Sequence, residues 1–141
     1  MYDTILVPTD GSDVSERAAD EAFALAREFG ATVHVVFVID ESASSFLFTT
    51  ERMADVLEAF REEGEAATDA VRELAGDDVD VVVDIVRGMK VHSAIVDYAR
   101  NHGVDLVVMG THGRHGVEHL LGSTTQRVLT SADVPVLVVG E

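Results

Sequence analysis

The stretch VVMGTHGRHGVEHLLGSTTQRVLTSADVPVLVV, Val107–Val139, decides how this chain folds. It opens on an apolar run that ends at Gly110, crosses a turn rich in glycine and histidine, starts a helix at Gly122-Ser123-Thr124-Thr125, and closes on a second apolar run. Strand, glycine turn, helix and strand in that order form the unit of a parallel sheet, because parallel strands need a long crossover between them.

The same alternation runs back to the first residues. TILVP, Thr4–Pro8, is a short strand stopped by the turn residues Asp10-Gly11-Ser12. From Asp13 onward Ala18, Ala22, Phe23, Leu25, Ala26 and Phe29 recur at helical spacing, with Ser12 or Asp13 as N-cap and Gly30 as the stop. Thr32–Asp40 is a second strand, and the serine-rich ESASS after it reads as a loop. Between Thr50 and Ala75 the positions Met53, Leu57, Phe60, Ala67, Ala70, Val71 and Leu74 keep a helical period, acidic residues fill the other faces, and Gly64 is expected to kink the helix. A charged run of that kind is most simply a solvated side and names no partner. Val79–Val86 is a third strand, Lys90–Gly103 a helix burying Val91, Ala94, Ile95 and Tyr98, Val104–Gly110 a fourth strand and Val134–Gly140 a fifth. Five apolar strands alternating with four helices predict a single-domain α/β fold, an open five-stranded parallel sheet covered by helices on both faces.

Composition narrows the function classes. The 141 residues contain no cysteine, which excludes disulfides, thiolate metal sites and a thiol nucleophile. No segment approaches the roughly 18 consecutive apolar residues of a membrane span, and Met1-Tyr2-Asp3 begins no basic-then-apolar leader, so the expected setting is soluble and cytoplasmic. A formal charge of −16, with nine arginines and one lysine, argues against nucleic acid as a partner. Such self-repulsion is screened in strong salt, where the Debye length falls to about 3 Å at 1 M, and this suggests a salt-loving source. An ordinary acidic cytosolic protein is the alternative.

In open parallel sheets, ligands bind beyond the carboxyl ends of the strands where strand order reverses. If the order is 3-2-1-4-5, the turns Pro8–Ser12 and Gly110–Gly113 are neighbours at that point. Gly110 and Gly113 let main-chain N–H groups approach an anion closely, and Gly122-Ser123-Thr124-Thr125 opens a helix whose N-terminus favours one. The local charge agrees, since Gly110–Arg127 carries Arg114 and Arg127 against Glu118 alone. No Gly-Lys-Ser/Thr and no Gly-x-Gly-x-x-Gly follows the first strand, so neither the P-loop nor the dinucleotide fingerprint is present. Glycines alone also mark ordinary turns.

ILVPTDGS, FVIDES and the opening stretch together make the chain resemble the universal stress protein family over its whole length. The ATP-binding members of that family have Gly-x2-Gly-x9-Gly-Ser/Thr after the fourth strand, and here Gly110, Gly113, Gly122 and Ser123 stand in that pattern. The resemblance implies strand order 3-2-1-4-5, with ATP, alone or with Mg²⁺, lying across the point where the order reverses. It further implies that Pro8, Thr9 and Asp10 line the adenosine part, that Val38 and Met109 flank adenine and ribose, and that Gly110 and Gly113 approach the phosphates. Gly122, Ser123, Thr124 and Thr125 would donate hydrogen bonds to them. Asp10 is also a natural turn former and helix cap, and the two roles can coexist. One departure stands out: eight residues, Arg114–Leu121, separate Gly113 from Gly122 where the pattern has nine. The loop must tighten or the helix must start elsewhere.

The expected function is therefore an ATP-binding, stress-response regulatory protein with slow hydrolysis or none, because only Asp10 and His112 suggest a metal clamp or a water-orienting group. The resemblance adds a homodimer joined through the last strand, whose edge would pair with its twin. A nucleotide-free dimerising interaction module of the same fold is the alternative, supported by the short loop. An enzyme cleaving between α- and β-phosphates rests on analogy of fold alone, since Pro8–Asp13 lacks the Ser-Gly-Gly-x-Asp-Ser loop of such enzymes. Metal binding by His112, His115 and His119 is disfavoured because Gly113 and Gly116 interrupt the helix their spacing would need.

Overall fold

The computed structural model describes residues 1–42, 53–113 and 120–141. Its elements are β1 (Thr4–Pro8), α1 (Asp13–Phe29), β2 (Thr32–Asp40), α2 (Met53–Ala75), β3 (Asp80–Gly88), α3 (Val91–Asn101), β4 (Leu106–Gly110), α4 (Ser123–Ser131) and β5 (Val136–Val139). The five strands pair in parallel in the order β3-β2-β1-β4-β5.

Alternation along the central strands builds two apolar layers. Ile5 and Val7 of β1, with Leu106 and Val108 of β4, face α1 and α2, where Ala18, Ala22, Phe23 and Val71 close the core. Leu6, Val107 and Met109 point to the other side and meet Ile95, Tyr98 and Val128 from α3 and α4. Successive side chains of a strand face opposite ways, so a strand covered on both sides is apolar at every position. Each fully buried large aliphatic side chain contributes about 1.5–3 kcal/mol.

Several boundaries differ from expectation, each for a local reason. β3 runs on to Gly88 because Val38, Ile39 and Asp40 keep pairing with Val86, Arg87 and Gly88. β4 starts at Leu106 instead of Val104, since Asp105 turns its carboxylate to accept from the N–H groups of Asp3 and Thr4 at 2.8 and 2.9 Å. β5 is trimmed to Val136–Val139; Pro135 has no N–H to pair, although its carbonyl accepts from Val107. Phe29 lies 41% exposed, edge-on to Tyr2, and Met53 and Leu74 at the two ends of α2 are equally exposed. The expected loop residues Ala43–Ser45 and the first turn expected at Thr50 lie outside the described residues.

Gly64 lets α2 pack closely on the sheet. The helix passes through it unbroken, and a Cβ there would lie 2.8 Å from Cδ1 of Phe37 on β2. The missing side chain lets α2 settle onto the sheet, which carries the neighbouring Glu63 to the mouth of the cavity described next.

Candidate functional site

Strand order reverses between β1 and β4, and a cavity of about 490 Å³ opens beyond their carboxyl ends. Pro8, Thr9, Asp10, Val38, Met109, Gly110, Gly113, Gly122, Ser123, Thr124 and Thr125 all line it. Every residue that the resemblance implies for the nucleotide is thus brought to one place, although they come from β1, β2, β4, the turns and α4.

The β1 turn is built by its own side chains. The Ser12 N–H donates to Asp10 Oδ1 at 2.9 Å, and the Gly11 N–H, in a left-handed conformation at φ +84°, donates to Thr9 Oγ1 at 3.2 Å. Ser15 Oγ donates to the Ser12 carbonyl at 2.8 Å, so at 3.0 Å it is left to accept from the Thr9 hydroxyl. Ser12 caps α1 by accepting from the Ser15 N–H, and Asp13 is the first helical residue. Asp10 therefore both stabilises the turn and faces the cavity.

Three glycines form the opposite wall, and none has room for a side chain. A Cβ on Gly110 would lie 2.9 Å from Val14 Cγ1, one on Gly113 would collide with Asp10 Oδ2, and one on Gly122 would lie 3.1 Å from His112 Cα. Their backbones line the cavity directly. Ser123 begins α4, and Gly122 before it supplies no side-chain cap. The first N–H groups of α4 have no carbonyl partner within the helix, and Ser123, Thr124 and Thr125 line the cavity. No acidic residue occupies the first turn, so the positive end of the helix dipole is not offset there. This is an anion-binding arrangement.

The loop between Gly113 and Gly122, one residue shorter than the ATP-binding pattern, still delivers Ser123 to the cavity. The Gly122 N–H donates to the Thr111 carbonyl at 2.6 Å, anchoring the start of α4. Thr125 lines the cavity too, and its hydroxyl has a partner within the protein. Its hydroxyl, buried at 3% exposure, donates to the Gly110 carbonyl at 2.8 Å and ties α4 to the end of β4. That proton is engaged inside the protein and does not point to a ligand.

The cavity also holds residues that sequence reasoning passed over, chiefly Ser15, Val36, Phe37, Asp40, Glu63, Val91 and Ile95. Asp40 had a signal, since it sits in FVIDES, and its Oδ1 accepts from both the N–H and the hydroxyl of Ser42. Glu63 had none, because only the close approach at Gly64 brings it in. His112, singled out for the turn, lines the cavity as well. No lysine or arginine is among the described lining residues. His115 and His119 lie outside the described residues, and among those described no group of three histidine or acidic side chains is placed to hold a metal ion.

A second polar cluster lies away from the cavity, beneath α3. The Tyr98 hydroxyl donates to Asp84 Oδ2 at 2.5 Å and lies 2.8 Å from His34 Nδ1, while the His102 ring stacks on Tyr98 at 3.7 Å. Burial, then the Asp84 carboxylate, pushes the Tyr98 hydroxyl well above its usual range. Burial, then His102, lowers His34, and Asp84 opposes that shift. These groups satisfy one another.

The family model described as the universal stress protein family matches residues 1–140. The chain belongs to that family. Universal stress protein MJ0531 of Methanocaldococcus jannaschii is 39% identical over 141 residues, covering 99% of this chain and 82% of the relative. Among solved structures, the universal stress protein UspA from Lactobacillus plantarum superposes with a TM-score of 0.82 at 32% identity, over 98% of this chain and 97% of the other. The universal stress protein from Archaeoglobus fulgidus in complex with dAMP superposes with a TM-score of 0.68 at 26% identity, over 98% of both chains. The parallel sheet of order 3-2-1-4-5 is thus the fold of the family.

Proposed function

We propose that this chain is an adenine-nucleotide-binding, stress-response regulatory protein that holds ATP across the carboxyl ends of β1 and β4. One observation carries the reading: the turn, glycine and α4 residues implied by the ATP-binding pattern line a single cavity of about 490 Å³, within the roughly 300–1,000 Å³ of ligand pockets. Glycines 110, 113 and 122, which bring bare backbone to the cavity wall, suit phosphates, and Val38 and Met109 suit the apolar faces of a nucleoside. The dAMP bound by the Archaeoglobus fulgidus relative supports the same ligand class. Mg²⁺, if it accompanies ATP, finds a carboxylate in Asp10.

Hydrolysis is slow or absent in this reading. Fast phosphoryl transfer wants cations that stabilise charge in the transition state, and the described lining residues offer carboxylates and His112 but no lysine or arginine. The protein acts as a homodimer joined through β5, an edge strand whose Leu137 is 39% exposed. A cytoplasmic, salt-rich setting suits the charge of −16, and neither nucleic acid nor membrane is a partner. No described helix is long and apolar enough to cross a membrane.

The test is to purify the protein in strong salt, denature it with acid, and identify any released nucleotide by chromatography with mass detection. ATP or ADP near one per chain is expected. An empty protein that also takes up no added ATP with Mg²⁺ would overturn the reading in favour of a nucleotide-free interaction module.

A further inference from the structure

We infer that Glu141 is a positioning residue for the nucleotide phosphates, acting through His112; the inference rests on the adenine-nucleotide reading above. His112 belongs to the phosphate turn, yet its side chain is only 8% exposed, and its Nε2 lies 3.3 Å from Oε1 of Glu141. That is ion-pair range for a ring carrying both protons. On the other side of the ring, Nδ1 lies 3.1 Å from Thr111 Oγ1. The imidazole is therefore held between two side chains. It lines both the nucleotide cavity and a second cavity of about 330 Å³ bounded by Thr111, Leu120, Leu121, Gly140 and Glu141.

The main chain beneath the ring carries the effect to the phosphate end. The Thr111 N–H donates to the Val139 carbonyl at 3.0 Å, and the Thr111 carbonyl accepts from the Gly122 N–H at 2.6 Å. A Cβ on Gly122 would lie 3.1 Å from His112 Cα, so α4 begins directly against the His112 backbone. Displacing the ring shifts the support of Gly113 and of the first N–H groups of α4 together. Glu141 stands two residues beyond β5, and so ties the last strand to the turn. A nearly buried ring deprived of its carboxylate must turn to find another partner or leave a polar group unmet. Contacts to phosphate are sensitive to such movement, since hydrogen bonds weaken steeply as their distance and angle depart from ideal.

Isothermal titration of the full chain with ATP, ADP, AMP and adenosine, for the native protein, Glu141→Ala and Glu141→Gln, tests the inference. Glu141→Ala is expected to weaken ATP about tenfold. The loss should shrink as phosphates are removed and vanish for adenosine. Glu141→Gln keeps an acceptor oxygen and should restore most of the affinity. Equal losses for ATP and adenosine, or an unchanged ATP affinity, would overturn the inference while leaving the nucleotide reading intact. Long-range proton–nitrogen spectra of the His112 ring, recorded without nucleotide, test the contact itself: the signals should move in Glu141→Ala, and unchanged signals would overturn it. A native protein that binds neither ATP nor adenosine, with ring signals that do respond to Glu141→Ala, would overturn the nucleotide reading and the phosphate role with it.

Discussion

Two helices begin at the carboxyl end of the same sheet, and they begin differently. α1 is closed by its own residues: Ser12 caps it through the Ser15 N–H at 3.3 Å, and Asp13 and Glu16 place negative charge in the first turn. α4 follows Gly122, which offers no cap, and its first turn holds no acidic residue. The α1 start has the charge and hydrogen bonds it needs, so it stabilises structure. Among the described residues the α4 start has no side-chain cap and no acidic residue in its first turn, and it faces a glycine-walled cavity, so an anion can supply both. Glycine content does not separate the two starts; capping and first-turn charge do.

The largest expected effect comes from making α4 resemble α1. Ser123→Asp puts a carboxylate into the cavity at the dipole end, where it supplies the missing charge and repels phosphate. Nucleotide titration should show ATP affinity reduced at least about a hundredfold, roughly 2.7 kcal/mol, with no loss of thermal stability. A variant that keeps its ATP affinity would break the comparison.

The converse change sharpens it. Ser12→Ala removes the α1 cap and should cost about 1 kcal/mol of stability in urea unfolding, while ATP affinity stays near native. A large loss of affinity with unchanged stability would place Ser12 at the site and not in the scaffold.

The polar cluster beneath α3 is a scaffold by the same criterion, and its signature is pH. His34 has its folded pKa lowered by burial and by His102 from the usual 6.5. The unfolded chain therefore binds the proton more readily, and the contribution is present above about pH 6.5 and lost as pH falls through the lowered value. Melting midpoints should drop on acidification through that window, and less steeply in His34→Gln. Identical slopes would remove His34 from the account. The smallest effect is expected at the Arg100–Asp133 pair, which is close at 2.6 Å but lies on the surface. Arg100→Gln should leave the melting midpoint within error, because exposed pairs pay for side-chain ordering and are screened by salt.

Much of the fold and of the site is legible in the order of the residues. Ile5, Val7, Val33, Val35 and Val108 stand in β-branched runs bounded by turn residues, and strands covered on both faces are apolar at every position. Gly110, Gly113 and Gly122 are legible because a phosphate turn needs backbone without side chains. The role of Thr125 is not, since a hydroxyl at a helix start serves a ligand or a carbonyl equally well, and only the 2.8 Å approach of Gly110 chooses. Gly64 is ambiguous because a glycine inside a helix looks the same whether it bends the helix or lets it pack closely.

Local sequence is enough to say which segments are strands and helices, to within a few residues where they end, and which residues could bare a backbone to an anion. All of that depends on neighbours within a few positions along the chain, where periodicity, caps and turn chemistry act. Packing alone brings Glu63 to the cavity, turns the Thr125 hydroxyl inward, and lays Glu141 against His112. Those outcomes depend on how far apart two packed elements settle. That distance is set by side chains distant in sequence, and no local pattern records it.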